Sequence, residues 1–85
     1  MPKIIVSEEA KADFFGLDKS TMEKFSKHIK KLEIRVPRKR LRHNSKYLVE
    51  EVGQGRIICR YDADILEILR IFKTHKEYEK WFSGV

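Results

Sequence analysis

The sequence is short of the residues that signal most small-domain chemistries. Cys59 is the one cysteine among 85 residues, so an internal disulfide is excluded. Neither that thiol nor the three histidines, His28, His43 and His75, fall at metal-ligand spacing. The four glycines are too scattered to cradle a nucleotide phosphate or to form a nucleophile elbow. Asp62 and Asp64 are better explained as turn residues than as a metal pair. No metal and no cofactor is therefore expected. Repeats, low-complexity tracts and Pro- or Gly-rich linkers are absent, and the length suits one domain spanning residues 1–85 with one modest core. No run approaches the roughly 20 apolar residues of a membrane span. "MPKIIVSEEA" lacks the charged start, apolar middle and small-residue cleavage site of a secretory signal. The expectation is a cytoplasmic protein with no membrane partner.

Positive charge, by contrast, is plentiful. Lys and Arg total 19 against 13 Asp and Glu, a formal +6. The surplus sits in the first half, where residues 1–45 carry 12 basic and 6 acidic side chains; residues 46–85 carry 7 of each. A localised basic surface predicts a polyanionic partner, whether RNA, DNA or an acidic protein segment.

"KIIV" is a β-branched run that predicts a strand, and Ser7 follows as an N-cap with Glu8 and Glu9 in the first helical turn. Gly16 ends that helix. A second helix is expected from about Ser20, which has capping-box spacing to Glu23, with Met22, Phe25, Ile29 and Leu32 on its apolar stripe. Lys24, Lys27, Lys30 and Lys31 occupy its other faces, so the two helices form an antiparallel pair with a basic outer surface. Pro37 stops the helix. "VPRKRLRHNS" then reads as a linker that packs Arg38, Lys39, Arg40, Arg42 and His43 into six positions.

Three strands are expected next, Lys46 to Val52, Arg56 to Asp62 and Ile65 to Lys73, joined by the turns "GQG" and "AD" as an antiparallel meander. In the middle strand Ile57, Cys59 and Tyr61 form an apolar row, and Arg56, Ile58, Arg60 and Asp62 form a row free to be wet. A two-residue "AD" hairpin sets Arg60 opposite Glu67 and Arg56 opposite Ile71. Thr74 and Glu77 have capping-box spacing, so a short helix begins where the third of these strands stops. The predicted fold is α+β in the order β-α-α-β-β-β-α, with an N-terminal strand and the helix pair packed on an antiparallel sheet.

Two residues stand apart from simple packing. Arg56 begins a strand on the wet row with no evident carboxylate opposite. His75 occupies the first turn of the last helix, where the dipole and the adjacent Lys76 both favour a neutral, proton-accepting ring, although read alone it is first a polar surface residue. Trp81 and Phe82 read as packing residues and Arg60 as the partner of Glu67. Tyr78 suits either the rim of a groove or closure of the core. The run from Arg38 to Arg42 is equally a solvated loop or a phosphate-binding strip.

The order of elements, with "SEEAKADFFGLDKS", "GRIICRYD" and "FKTHKEYEKWF", resembles the RelE/ParE toxin superfamily over essentially the whole chain. The terminal Thr-His segment followed by tyrosine looks most like the HigB-type branch. The resemblance implies the toxin of a type II toxin–antitoxin system: a metal-independent endoribonuclease that cuts mRNA on the ribosome, inhibits translation and is held inactive by a cognate antitoxin. In that scheme the ribose 2′-hydroxyl is the internal nucleophile, and the protein moves protons and stabilises an anionic phosphate. Matched position by position, Arg56 would clamp the scissile phosphate and His75 would act as general base or acid. Lys76 would add a second positive charge, and Tyr78 would stack on a base or position the phosphate. Lys24, Lys27, Lys31, Arg38, Lys39, Arg40, Arg42 and Lys46 would contact RNA. RelE members carry lysines in the strand before the "GQG" turn, where this sequence has Tyr47, Val49, Glu50 and Glu51; one branch of relatives uses a carboxylate in that strand as proton acceptor, so the resemblance implies Glu50 or Glu51 as the substitute. The alternative is a non-nucleolytic relative, a ParE-like inhibitor of DNA gyrase or a degenerate form that only binds an antitoxin.

Overall fold

The β-branched run after Pro2 forms β1 (Lys3–Val6), and Ser7 turns the chain into α1 (Glu8–Phe15). The Ser7 hydroxyl accepts from the Ala10 amide at 3.1 Å, as an N-cap should, and Gly16 closes the helix. A computed structural model of the chain describes residues 2–37, the backbone of 39–40, and residues 46–84. It adds α2 (Lys19–Leu32), β2 (Lys39–Arg40), β3 (Leu48–Val52), β4 (Gly55–Asp62), β5 (Ile65–Phe72) and α3 (His75–Phe82).

Two local expectations need correction. The second helix begins before Ser20, because Asp18 is the N-cap: its carboxylate accepts from the Thr21 amide at 3.2 Å and from the Thr21 hydroxyl at 2.6 Å. An ionised cap makes stronger hydrogen bonds than a serine hydroxyl. Those bonds hold the Asp18 carboxyl down at about 2, assisted by the Lys73 ammonium at 3.3 Å. The basic stretch after Pro37 is also more than a linker. Lys39 and Arg40 pair with Val49 and Leu48 as a two-residue edge strand. Arg38, Arg42 and His43 lie outside the described residues, as do the side chains of Lys39 and Arg40.

The sheet runs β1-β5-β4-β3-β2. The tight turns make β3, β4 and β5 antiparallel as expected. β1 departs from that pattern: it lies parallel to β5, from which two helices and three strands separate it in sequence, so no hairpin forces the pair to be antiparallel. β1 ends opposite Ile68, which would leave the rest of the β5 edge open. α1 covers it. The Ser7 hydroxyl donates to the Leu69 carbonyl at 2.9 Å, and Asp13 accepts from the Ile71 amide at 3.0 Å and from Arg70 through two bonds of 2.8 and 3.1 Å. The Asp13 hydrogen bonds raise the Arg70 pKa above its ordinary value. An exposed edge that could template aggregation is thereby sealed.

Arg60 opposes Glu67 as the "AD" hairpin requires, with their side chains 3.0 Å apart. Arg56, however, opposes Phe72 rather than Ile71, because the register shifts by one residue at Ile58/Cys59 and leaves Leu69 as an extra residue in β5. The shift sends Leu66, Ile68 and Ile71 to one face of the sheet and Phe72 to the other. Each face consequently has its own core. Ala10, Phe25 and Leu32 of the helix pair pack on Leu48, Val52, Ile57, Cys59, Leu66 and Ile68. On the reverse face α3 lays Tyr78, Trp81 and Phe82 over Val49, Ile58 and Phe72. Ile58, expected on a wet row, is therefore fully buried, whereas Tyr61 is exposed.

Candidate functional site

The site is built where β4 begins, β5 ends and α3 starts. Val52 pairs with Gly55 across the two-residue turn Gly53-Gln54, and Gly53 takes φ +61°, a left-handed value that glycine adopts without strain. Gly55 is needed for space. A Cβ there would meet the Phe25 ring at 2.5 Å and the Phe72 carbonyl at 2.8 Å. This close approach of β4, β5 and α2 sets the backbone from which Arg56 projects onto the α3 face. On the other side of the site, the Thr74 hydroxyl accepts from the Glu77 amide at 3.2 Å and starts α3 at His75, as the capping-box spacing predicts.

Arg56 and His75 thus meet. The guanidinium Nη2 lies 3.3 Å from His75 Nδ1, and Nη1 donates to the carbonyls of Gly53 and Gly55 at 3.1 and 2.8 Å. The Arg56 side chain is 13% exposed, which leaves Nη2 as its working end. Tyr78 sits beside both, its ring 5.7 Å from the guanidinium carbon and 5.8 Å from the imidazole. That ring also contacts Phe72 and Phe82, so it closes the core and borders the site at once. An imidazole nitrogen and a guanidinium nitrogen facing one point can receive a proton and a phosphate oxygen side by side.

The other expected residues are arranged less simply. Lys76 is exposed on the first turn of α3 and, among the described residues, makes no ion pair or hydrogen bond. Lys24, Lys27 and Lys31 are exposed on α2, which packs on the face of the sheet opposite α3, so the basic helix stands behind the site rather than beside it. Lys46 is exposed two residues before β3. Of the two carboxylates, Glu50 points to the helix layer, where it is 8% exposed, accepts from His28 at 3.1 Å and lies 3.7 Å from Arg35. That geometry removes Glu50 from the site. Glu51 remains, paired across the strands with Arg56 at 3.6 Å.

One neighbour was not foreseen. Glu79 Oε1 lies 2.5 Å from His75 Nε2. The signal was legible in the sequence, since residues four apart share a helix face.

No family model matches the chain, and no curated protein matches it in sequence. Solved structures do match. The chain is similar to the toxin–antitoxin complex RelB–RelE from Methanococcus jannaschii, with a TM-score of 0.74 over 92% of this chain and 98% of the other at 13% identity. It is also similar to the isolated E. coli RelE toxin, with a TM-score of 0.76 over 95% and 98% of the two chains at 12% identity. The fold is that of RelE. At such identity the likeness is one of architecture, so the chemistry of this RelE-like domain rests on its own side chains.

Proposed function

We propose that this RelE-like domain is a toxin that cuts mRNA on the ribosome. The observation that carries the reading is the convergence of Arg56, His75 and Tyr78 at one end of the sheet, within hydrogen-bond or ring-contact range of each other. His75 removes the proton from a ribose 2′-hydroxyl. O2′ then bonds to the adjacent phosphorus as the P–O5′ bond breaks, and the proton passes to O5′, leaving a 2′,3′-cyclic phosphate and a 5′-hydroxyl. Arg56 Nη2 moves from His75 to a non-bridging phosphate oxygen and stabilises the charge that develops there. Tyr78 supplies a ring for a neighbouring base. Lys76 adds long-range attraction, and Lys24, Lys27, Lys31 and Lys46, with the basic run at 38–42, bind ribosomal RNA. The partner in the cell is a cognate antitoxin, a reading supported by the RelB–RelE complex among the similar structures. The protein works in the cytoplasm, where ribosomes and mRNA are.

Primer extension on translating ribosomes tests the reading. Wild type leaves discrete cuts at codon positions, and His75→Ala and Arg56→Ala abolish them; cuts that persist in both variants refute the site. The engagement of Arg56 with the Gly53 and Gly55 carbonyls favours a second reading, a non-nucleolytic relative in which that arginine only braces the turn. Inhibition of gyrase supercoiling without mRNA cutting would support it.

A further inference from the structure

His75 is held at both ring nitrogens by partners with opposite demands. A guanidinium only donates, so Nδ1, 3.3 Å from Arg56 Nη2, has to present its lone pair. A carboxylate only accepts, so Nε2, 2.5 Å from Glu79 Oε1, has to carry the proton. One neutral tautomer meets both demands. The imidazolium would set Nδ1–H against Nη2–H, and the other neutral tautomer would in addition turn the Nε2 lone pair toward the carboxylate. The charged and titratable groups that face the ring are Arg56 from β4, Glu51 from β3 acting through Arg56, and Tyr78 and Glu79 from α3 itself, with Lys76 next to it in sequence.

We propose that Glu79 is the positioning residue that places the ring proton on Nε2 and leaves Nδ1 as the proton acceptor of the site. Its consequence for catalysis rests on the nuclease reading, whereas the tautomer is a property of the free protein. Nδ1 faces Arg56, so the 2′-hydroxyl and the phosphate must enter on that side of the ring. As O2′ attacks phosphorus, Nδ1 takes the hydroxyl proton while Nε2–H stays bonded to Glu79, whose charge offsets the imidazolium. The P–O5′ bond breaks and Nδ1–H returns its proton to O5′, which restores the neutral ring. A carboxylate that orients a catalytic imidazole works in this way in hydrolytic triads.

Long-range 1H–15N correlation on 15N-histidine protein reads the tautomer directly, and primer extension reads the cutting. In wild type the spectrum is expected to show an unprotonated Nδ1 and a protonated Nε2. Glu79→Ala is expected to mix the two tautomers and to slow cutting by about ten- to a hundredfold, the range typical of lost supporting contacts. Glu79→Gln, whose amide oxygen still accepts from Nε2–H, is expected to recover part of both losses. Glu79 is exposed, so these variants leave the core intact. A wild-type ring protonated on Nδ1, or a tautomer unchanged in Glu79→Ala, overturns the proposal. Absence of cutting by wild type refutes the nuclease reading, and the tautomer shift on losing Glu79 then still decides whether it positions the ring.

Discussion

Arg56 is held at both terminal nitrogens of its guanidinium. Its Nη1 braces the turn that precedes it, and its Nη2 faces His75 and Glu51. On the nuclease reading, Arg56→Lys keeps the charge but loses the planar fork, so it could not hold two carbonyls and a phosphate together. We expect Arg56→Lys to lower cutting by about two orders of magnitude, comparable to removal of one transition-state donor, and single-turnover assays check this. Cys59 offers a second prediction. Burial, with the Glu50 charge adding to it, pushes its thiol up to about 12. A thiol reagent at pH 8 should leave the native protein untouched and modify one cysteine after unfolding. The sequence showed Arg56 as an arginine without an obvious partner. Its partners are two carbonyls, a ring nitrogen and Glu51, the carboxylate that the Gly53-Gln54 turn sets directly opposite it, so the expectation of an unopposed arginine was wrong.

At the scale of the element, capping and alternation were legible because both are local. Ser7, Gly16 and Thr74 act where their spacing places them. Asp18 prevailed over Ser20 because its carboxylate makes two bonds to Thr21. Its folded pKa lies below the ordinary value of 3.8. The cap thus adds stability above about pH 4 and loses it as pH falls through about 2. Asp18→Asn should melt at a lower temperature than wild type at pH 7, with the gap closing near pH 2. The extra residue at Leu69 and the pairing of Lys39–Arg40 were not legible, since both depend on what neighbouring strands and α1 present rather than on local pattern. Gly55 belongs to this scale too. Gly55→Ala would press a methyl group against Phe25 and the Phe72 carbonyl, and a loss of about 1–3 kcal/mol is expected in denaturant unfolding.

For the whole molecule, the two-sided sheet decides what the site can face. The helix pair fills one side and α3 the other, so Glu50 and Glu51, adjacent in sequence, serve different cores. The sequence reading of one wet row missed this because a single helix at the end of the chain folds back over it. The same layering separates the lysines of α2 from the Arg56–His75 centre. On the nuclease reading these lysines grip ribosomal RNA from behind the sheet. Replacing Lys24, Lys27 and Lys31 by Gln should weaken ribosome binding and flatten its dependence on log salt by about 1 per lysine. The melting temperature should stay unchanged.

The most direct test of the shared centre is a double-mutant cycle between Arg56 and His75 on the rate at which the protein cuts mRNA on translating ribosomes. Residues that act as a unit lose activity together, so the Arg56→Ala/His75→Ala protein should be no slower than the worse single variant. Losses that multiply, or single variants that cut like wild type, would contradict the account.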